Sequence, residues 1–173
     1  MKLWFALGLF AVSILGTAEP VTLINTLAER PVFNVVTAGV VVTRTVAPGT
    51  RVSVDPGLFS GLGDKKVPLA AGTTYYFARF GATPGLYRLA PEQVIILNQS
   101  NRAVPVILGS TRASAVLASG NFALGELTDG KLTVEWDDAG TTQTIDLDAG
   151  GVYRLRLDSP EGVGTTVTLT PWN

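Results

Sequence analysis

The chain has 173 residues, 13 Lys or Arg against 14 Asp or Glu, and neither histidine nor cysteine. Those absences exclude a Ser-His-Asp triad, a cysteine nucleophile, disulfides, and the His/Cys sites typical of zinc and copper. Carboxylates, Tyr, Lys and Ser are the only remaining catalytic candidates.

The chain opens with Met1-Lys2, an apolar run over 3–15, and Gly16-Thr17-Ala18 before Glu19-Pro20. This is the pattern of a signal peptide cleaved after Ala18. The apolar run is too short to span a bilayer, which needs about 20 residues. The expectation is an exported, periplasmic chain of residues 19–173. With no disulfides, it must be held by apolar burial. Turn residues recur at the spacing of a β-sandwich, and no segment of the mature chain reads as a helix.

A first module is expected over residues 19–91. Val21-Thr-Leu-Ile-Asn25 is its opening strand. Segments 32–37 and 40–46 flank Ala38-Gly39, a hairpin signal. Ala47-Pro48-Gly49 and Asp55-Pro56-Gly57 bracket a strand with Val52 and Val54. Residues 58–64 read as a glycine-rich loop, and Thr83-Pro84-Gly85 as another, before a short strand over 86–89. Between them lies Leu69-x-Ala71-Gly72-x-x-Tyr75, which reads as strand, turn, strand.

That motif returns 78 positions later as Leu147-x-Ala149-Gly150-x-x-Tyr153. A recurrence at this distance indicates two copies of one module. The second copy, residues 92–173, opens with Val94-Ile-Ile-Leu-Asn98, matching Val21 to Asn25. Further strands are expected over 114–117, 132–136, 142–147, 152–157 and 165–170. Tyr153, Leu155 and Leu157 alternate with Arg154, Arg156 and Asp158, so one face is buried and one is polar. The fold expected is all-β, two tandem antiparallel β-sandwich modules of Ig-like kind after a signal peptide, joined at Ala90-Pro91.

Candidate chemistry is sparse. Asp146 and Asp148 share one strand face, and with Asp137 and Asp138 they are candidates for a hard-cation site or a paired-carboxylate site. A solvated strand face and an acidic turn account for them more simply. Asn98-Gln99-Ser100 matches a glycosylation sequon. Residues 19–91 carry seven Lys or Arg against four acids, and residues 92–173 five against ten. The first half is therefore suited to an anionic polymer or partner. Its candidate binding residues are Arg44, Arg51, Lys65, Lys66, Tyr76 and Arg79. Tyr76 and Phe80 share one strand face and either pack under residues 58–62 or offer rings to a sugar or a protein. Nucleic acid is a poor fit to this charge density.

The order of Val21–Asn25, Pro31-Val32, Val46-Ala47-Pro48-Gly49, Val67-Pro68-Leu69-Ala70-Ala71-Gly72 with Tyr75-Tyr76, then Val94–Asn98 and Val104-Pro105-Val106 resembles the AlgF family. These are periplasmic accessory proteins of alginate O-acetylation. The resemblance implies a non-catalytic adaptor without cofactor. Its expected partners are membrane-bound and periplasmic acetyltransferase proteins and an anionic polysaccharide. It supplies no catalytic residues. The alternative is a structural or adhesive exported β-sandwich protein unrelated to acetylation, and a carboxylate-dependent glycan hydrolase is a distant third.

Overall fold

The computed structural model describes residues 18–172 except 81, 110–111, 139 and 158–165. The expected signal peptide lies almost entirely outside the described residues, as does Asp158. The fold is all-β, with sixteen strands in four four-stranded sheets among the described residues. No described helix is long and apolar enough to cross a membrane.

The first module contains β1 (Val21–Asn25), β2 (Val32–Thr37), β3 (Val40–Thr45), β4 (Arg51–Val54), β5 (Gly57–Gly61), β6 (Gly63–Leu69), β7 (Thr74–Arg79) and β8 (Pro84–Arg88). One sheet has the order β4-β1-β7-β8 and the other β3-β2-β5-β6. The second module repeats this with β9 (Gln93–Asn98), β10 (Val104–Leu108), β11 (Ala113–Leu117), β12 (Phe122–Glu126), β13 (Lys131–Asp138), β14 (Thr141–Asp148), β15 (Val152–Leu157) and β16 (Val167–Pro171). Its sheets run β12-β9-β15-β16 and β11-β10-β13-β14, the same order shifted by eight strands. The duplication read from one motif therefore extends to every strand.

Three sequence expectations change. The glycine-rich 58–64 segment is not a loop. Residues 57–61 and 63–69 are paired strands, with a bulge between Phe59 and Gly61. Strand β8 begins at Pro84, inside the segment read as a turn; an edge strand tolerates proline because its outward N–H has no partner to lose. Each module also contains one parallel pair, β1 with β7 and β9 with β15, within an otherwise antiparallel ladder.

Each sandwich has its own core. In the first, Val21, Leu23, Tyr75 and Phe77 of one sheet meet Phe33, Val35, Phe59 and Leu69 of the other. Phe33, Phe59 and Phe77 form a triangle with centroids 5.3, 5.4 and 5.8 Å apart, a tilted packing that suits ring quadrupoles. In the second, Val94, Ile96, Tyr153 and Leu155 face Val104, Val106, Val134, Trp136 and Leu147. A third cluster joins the modules: Ile24, Tyr76 and Ala78 pack with Ile95, flanked by Phe122, Leu124 and Val152. Strands β1 and β9 therefore face apolar surface on both sides. This explains why both read as nearly unbroken apolar runs.

Two polar braces recur. Asn25 and Asn98 end the opening strands, and both are buried. The Asn25 amide donates to the carbonyls of Glu29 and Val46, and its oxygen accepts from Leu27 N–H. The Asn98 amide donates to Arg102 and Leu117, and its oxygen accepts from Ser100 N–H. The three bonds to the main chain recur in both modules, and the Ser100 hydroxyl adds a fourth to the Asn98 oxygen where the first module has Leu27. Asn98 is thus committed to the interior, which removes the sequon reading. The Tyr75 hydroxyl accepts from Ala70 N–H at 3.1 Å, and the Tyr153 hydroxyl accepts from Asp148 N–H at 2.9 Å. Both bonds span the Ala-Gly turn, where Gly72 and Gly150 each hold φ at +67°. A Cβ is strained in that region, which is why the motif carries glycine.

Replacing Asn98 by Ala removes the Asn98 partner from the Leu117 carbonyl and the Ser100 N–H in the interior, while the Arg102 carbonyl still accepts from the Ser100 hydroxyl. An unsatisfied buried group costs about 1–3 kcal/mol. Asn98→Ala is expected to lower unfolding free energy by roughly 3 kcal/mol in urea titration, and Asn25→Ala to act similarly on the first module.

Candidate functional site

The six basic and aromatic residues singled out from the sequence do not form one surface. Arg44 lies on the exposed edge strand β3, beside a small hollow lined by Val35, Thr37, Val42, Val54 and Asp55. Arg79, at the end of β7, is ion-paired with Glu29 and donates to the Ala82 carbonyl. Arg51, on β4, is exposed but reaches across to the second module, donating to the Trp172 carbonyl at 2.7 Å. Tyr76 is 3% exposed and lies between the modules, with Tyr87 and Phe122 rings 5.8 and 6.1 Å away. It therefore presents no ring to a ligand. Alternation placed Tyr76 and Phe80 on one face, but not what covers that face.

Lys65 and Lys66 are both exposed on β6. Lys65 lines a groove of about 520 Å³ between the outer edges of the first module's two sheets. Phe59, Leu62 and Val67 form one wall; Phe80, Pro84, Leu86 and Tyr87 form the other. Phe80 is 55% exposed and meets Tyr87 edge-on at 4.8 Å. Among the described residues, Lys65 is the only charged one lining the groove.

The second module explains why this groove exists. Leu69 pairs with Gly57 and Val67 with Phe59; Leu147 pairs with Leu132 and Ile145 with Val134. Aligning Leu69 with Leu147 sets Phe59 against Val134. The next inward position is then Gly61 in the first module and Trp136 in the second. Trp136 donates its indole N–H to the Val167 carbonyl on β16, tying the two sheets together at that edge. Asp138 adds a second tie, accepting from Val167 N–H while paired with Arg102 at 2.6 Å. Gly61 supplies no side chain, and a Cβ there would lie 2.8 Å from the Phe33 Cα. The edge closed by an indole in one copy is an open groove in the other. The glycine was visible in the sequence, but its equivalence to Trp136 required the strand register.

The acidic candidates are dispersed. Asp137 accepts from Gly140 N–H, Asp146 accepts from the Thr133 hydroxyl, and Asp138 is held by Arg102. Among the described residues, no three acids come together as a metal site would require.

No protein-family model matches the chain, and no curated protein matches it.

Tyr76 gives a pH prediction. Burial, with a smaller contribution from Tyr87, raises its phenol above the ordinary value of 10.0. The folded state thus favours the neutral phenol more than the unfolded state does. That stabilisation is complete below about pH 10 and is lost as pH rises through the folded pKa. In urea titrations above pH 10, Tyr76→Phe is expected to lose stability less steeply than the parent protein. Identical slopes would remove Tyr76 as the group responsible.

Proposed function

We propose that this protein is an exported, periplasmic adaptor in the O-acetylation of an exported, alginate-like polysaccharide. In this reading it is not an enzyme. It binds proteins of the acetylation machinery, and its first module contacts the anionic polymer. The AlgF-like order of strand and turn residues supports the pathway. The observation that supports a binding role is the groove, with an exposed ring and, among the described residues, one cation and no carboxylate. Aromatic faces and a cation suit an acidic sugar chain. The lack of histidine and cysteine fits a protein that holds rather than transforms its partner.

A second reading, a structural or adhesive exported module, draws on a different observation. Edge strand β3 exposes Val40 and Val41, and β11 exposes Val116. Exposed apolar edge strands favour strand-to-strand association.

The deciding measurement is the O-acetyl content of exported polysaccharide, by proton NMR, with and without the gene. The adaptor reading expects acetate to be lost while polymer is still secreted. Unchanged acetate rejects it and favours the second reading. In a wild-type background, the Lys65→Glu/Lys66→Glu variant is expected to weaken association with polymer or acetyltransferase in a pull-down. Both side chains are exposed, so folding should survive; unchanged association would remove these lysines from the contact.

A further inference from the structure

The seam between the modules has a polar end built around Trp172. Its main-chain N–H donates to the Val152 carbonyl, and its own carbonyl accepts from Arg51. The Arg51 guanidinium lies 5.6 Å from the indole centroid and that of Arg154 lies 6.0 Å from it. One cation comes from each module. Arg154 leaves the outward face of β15, opposite the core residues Tyr153 and Leu155. Its Nε is buried and has no hydrogen-bond partner.

The electrostatics of this end are unbalanced. The ion pairs formed among the described residues, Arg79–Glu29, Arg102–Asp138 and Arg112–Glu135, all lie elsewhere. The influences on Arg154 are burial first, then Arg156 and Arg51, and all three disfavour its charge. A guanidinium stays protonated regardless, so the like charges remain uncompensated. An orphaned buried donor beside unpaired cations marks a place where an anion belongs. Adjacent to it is a cavity of about 290 Å³, lined by Arg51, Trp172, Thr22, Thr74 and the chain around Gly150 and Gly151.

We infer that this seam is a binding site for a sugar acid, its carboxylate held by Arg51 and Arg154 and its hydroxylated ring lodged in the cavity against Thr22 and Thr74. Guanidinium forks match the planar carboxylate. Threonine hydroxyls both donate and accept, which suits a polyol. The site is separate from the Lys65 groove, and both modules are needed to form it. It does not depend on the acetylation reading, since its argument uses only the groups at the seam.

The test is calorimetric titration of the folded protein with glucuronate, glucose and inorganic phosphate. Saturable one-to-one binding of glucuronate is expected, with none for glucose. Arg51→Gln and Arg154→Gln should each weaken it at least tenfold, and Arg112→Gln, at a guanidinium that pairs with Glu135 on β13, should not. Thermal unfolding adds a readout that separates binding from structure. Without ligand, Arg154→Gln should unfold at the same temperature or higher, because a like-charge contact is gone. It should also lose the rise in midpoint that glucuronate gives the parent protein. Arg51 is exposed, so Arg51→Gln carries the test if Arg154→Gln fails to fold. Absence of glucuronate binding overturns the proposal, as does binding that survives Arg51→Gln. Phosphate binding as tight as glucuronate overturns it too. Each of these outcomes leaves the O-acetyl measurement free to come out either way.

Discussion

The opening strand of each module lies between two apolar layers. Val21 and Leu23 face one core while Ile24 faces the seam, and Val94 and Ile96 face the other core while Ile95 faces the seam. A strand placed this way cannot use solvent to satisfy its end groups. Asn25 and Asn98 supply the missing partners, each serving two carbonyls and one amide where the strand turns out of the sheet. Without that brace the strand could not end inside the protein, because buried polar groups left unpaired are costly. The parallel pairing with β7 or β15, the Ala-Gly turn before it and the tyrosine that spans the turn are all arranged around this strand.

Duplication under one set of constraints makes the differences informative. The main-chain braces and turns are the same in both modules. The closure of the sandwich edge is not. An indole and the pair of buried Asp138 with partly exposed Arg102 close the second module, and a glycine leaves the first open. The two cores are filled by different side chains: Phe33, Phe59 and Phe77 in the first module stand where Val106, Val134 and Leu155 stand in the second. A groove can therefore persist without loosening the core beneath it, since Phe59 still packs against Phe33 and Phe77.

The seam turns two small sandwiches into one body. Its middle is apolar, with Ile24, Tyr76, Ala78 and Ile95, and the Gln99 side chain donates to the Gly49 carbonyl at 2.6 Å. Its arginine end differs, because cations gather there without an ion-paired acid among the described residues. The charge division between the halves takes on a different meaning here. The first module's excess of cations is spread over separate places: Arg79 is paired, Lys65 faces the groove, and Arg51 joins Arg154 of the more acidic module at Trp172.

Much of this was legible in local chemistry. Alternation, Ala-Gly turns and two matching Leu-x-Ala-Gly-x-x-Tyr motifs determined an all-β chain and its duplication, because strand period and positive φ are local properties. Pairing was not local. The glycine-rich 58–64 segment looked like a loop because glycine marks both loops and bulged strands. Strand β12 passed unnoticed in a short Phe-Ala-Leu-Gly-Glu run. Composition drew Tyr76, Arg51 and Lys65 into one basic, aromatic surface, and the fold separates them into seam and groove. By itself the sequence determined which residues alternate and where the chain turns. Only the tertiary structure decided which faces are covered, that Gly61 stands where Trp136 stands, and that arginines of different modules meet at one indole. Those outcomes depend on long-range register and on one sheet packing against another, and neither is written in the neighbours of any residue.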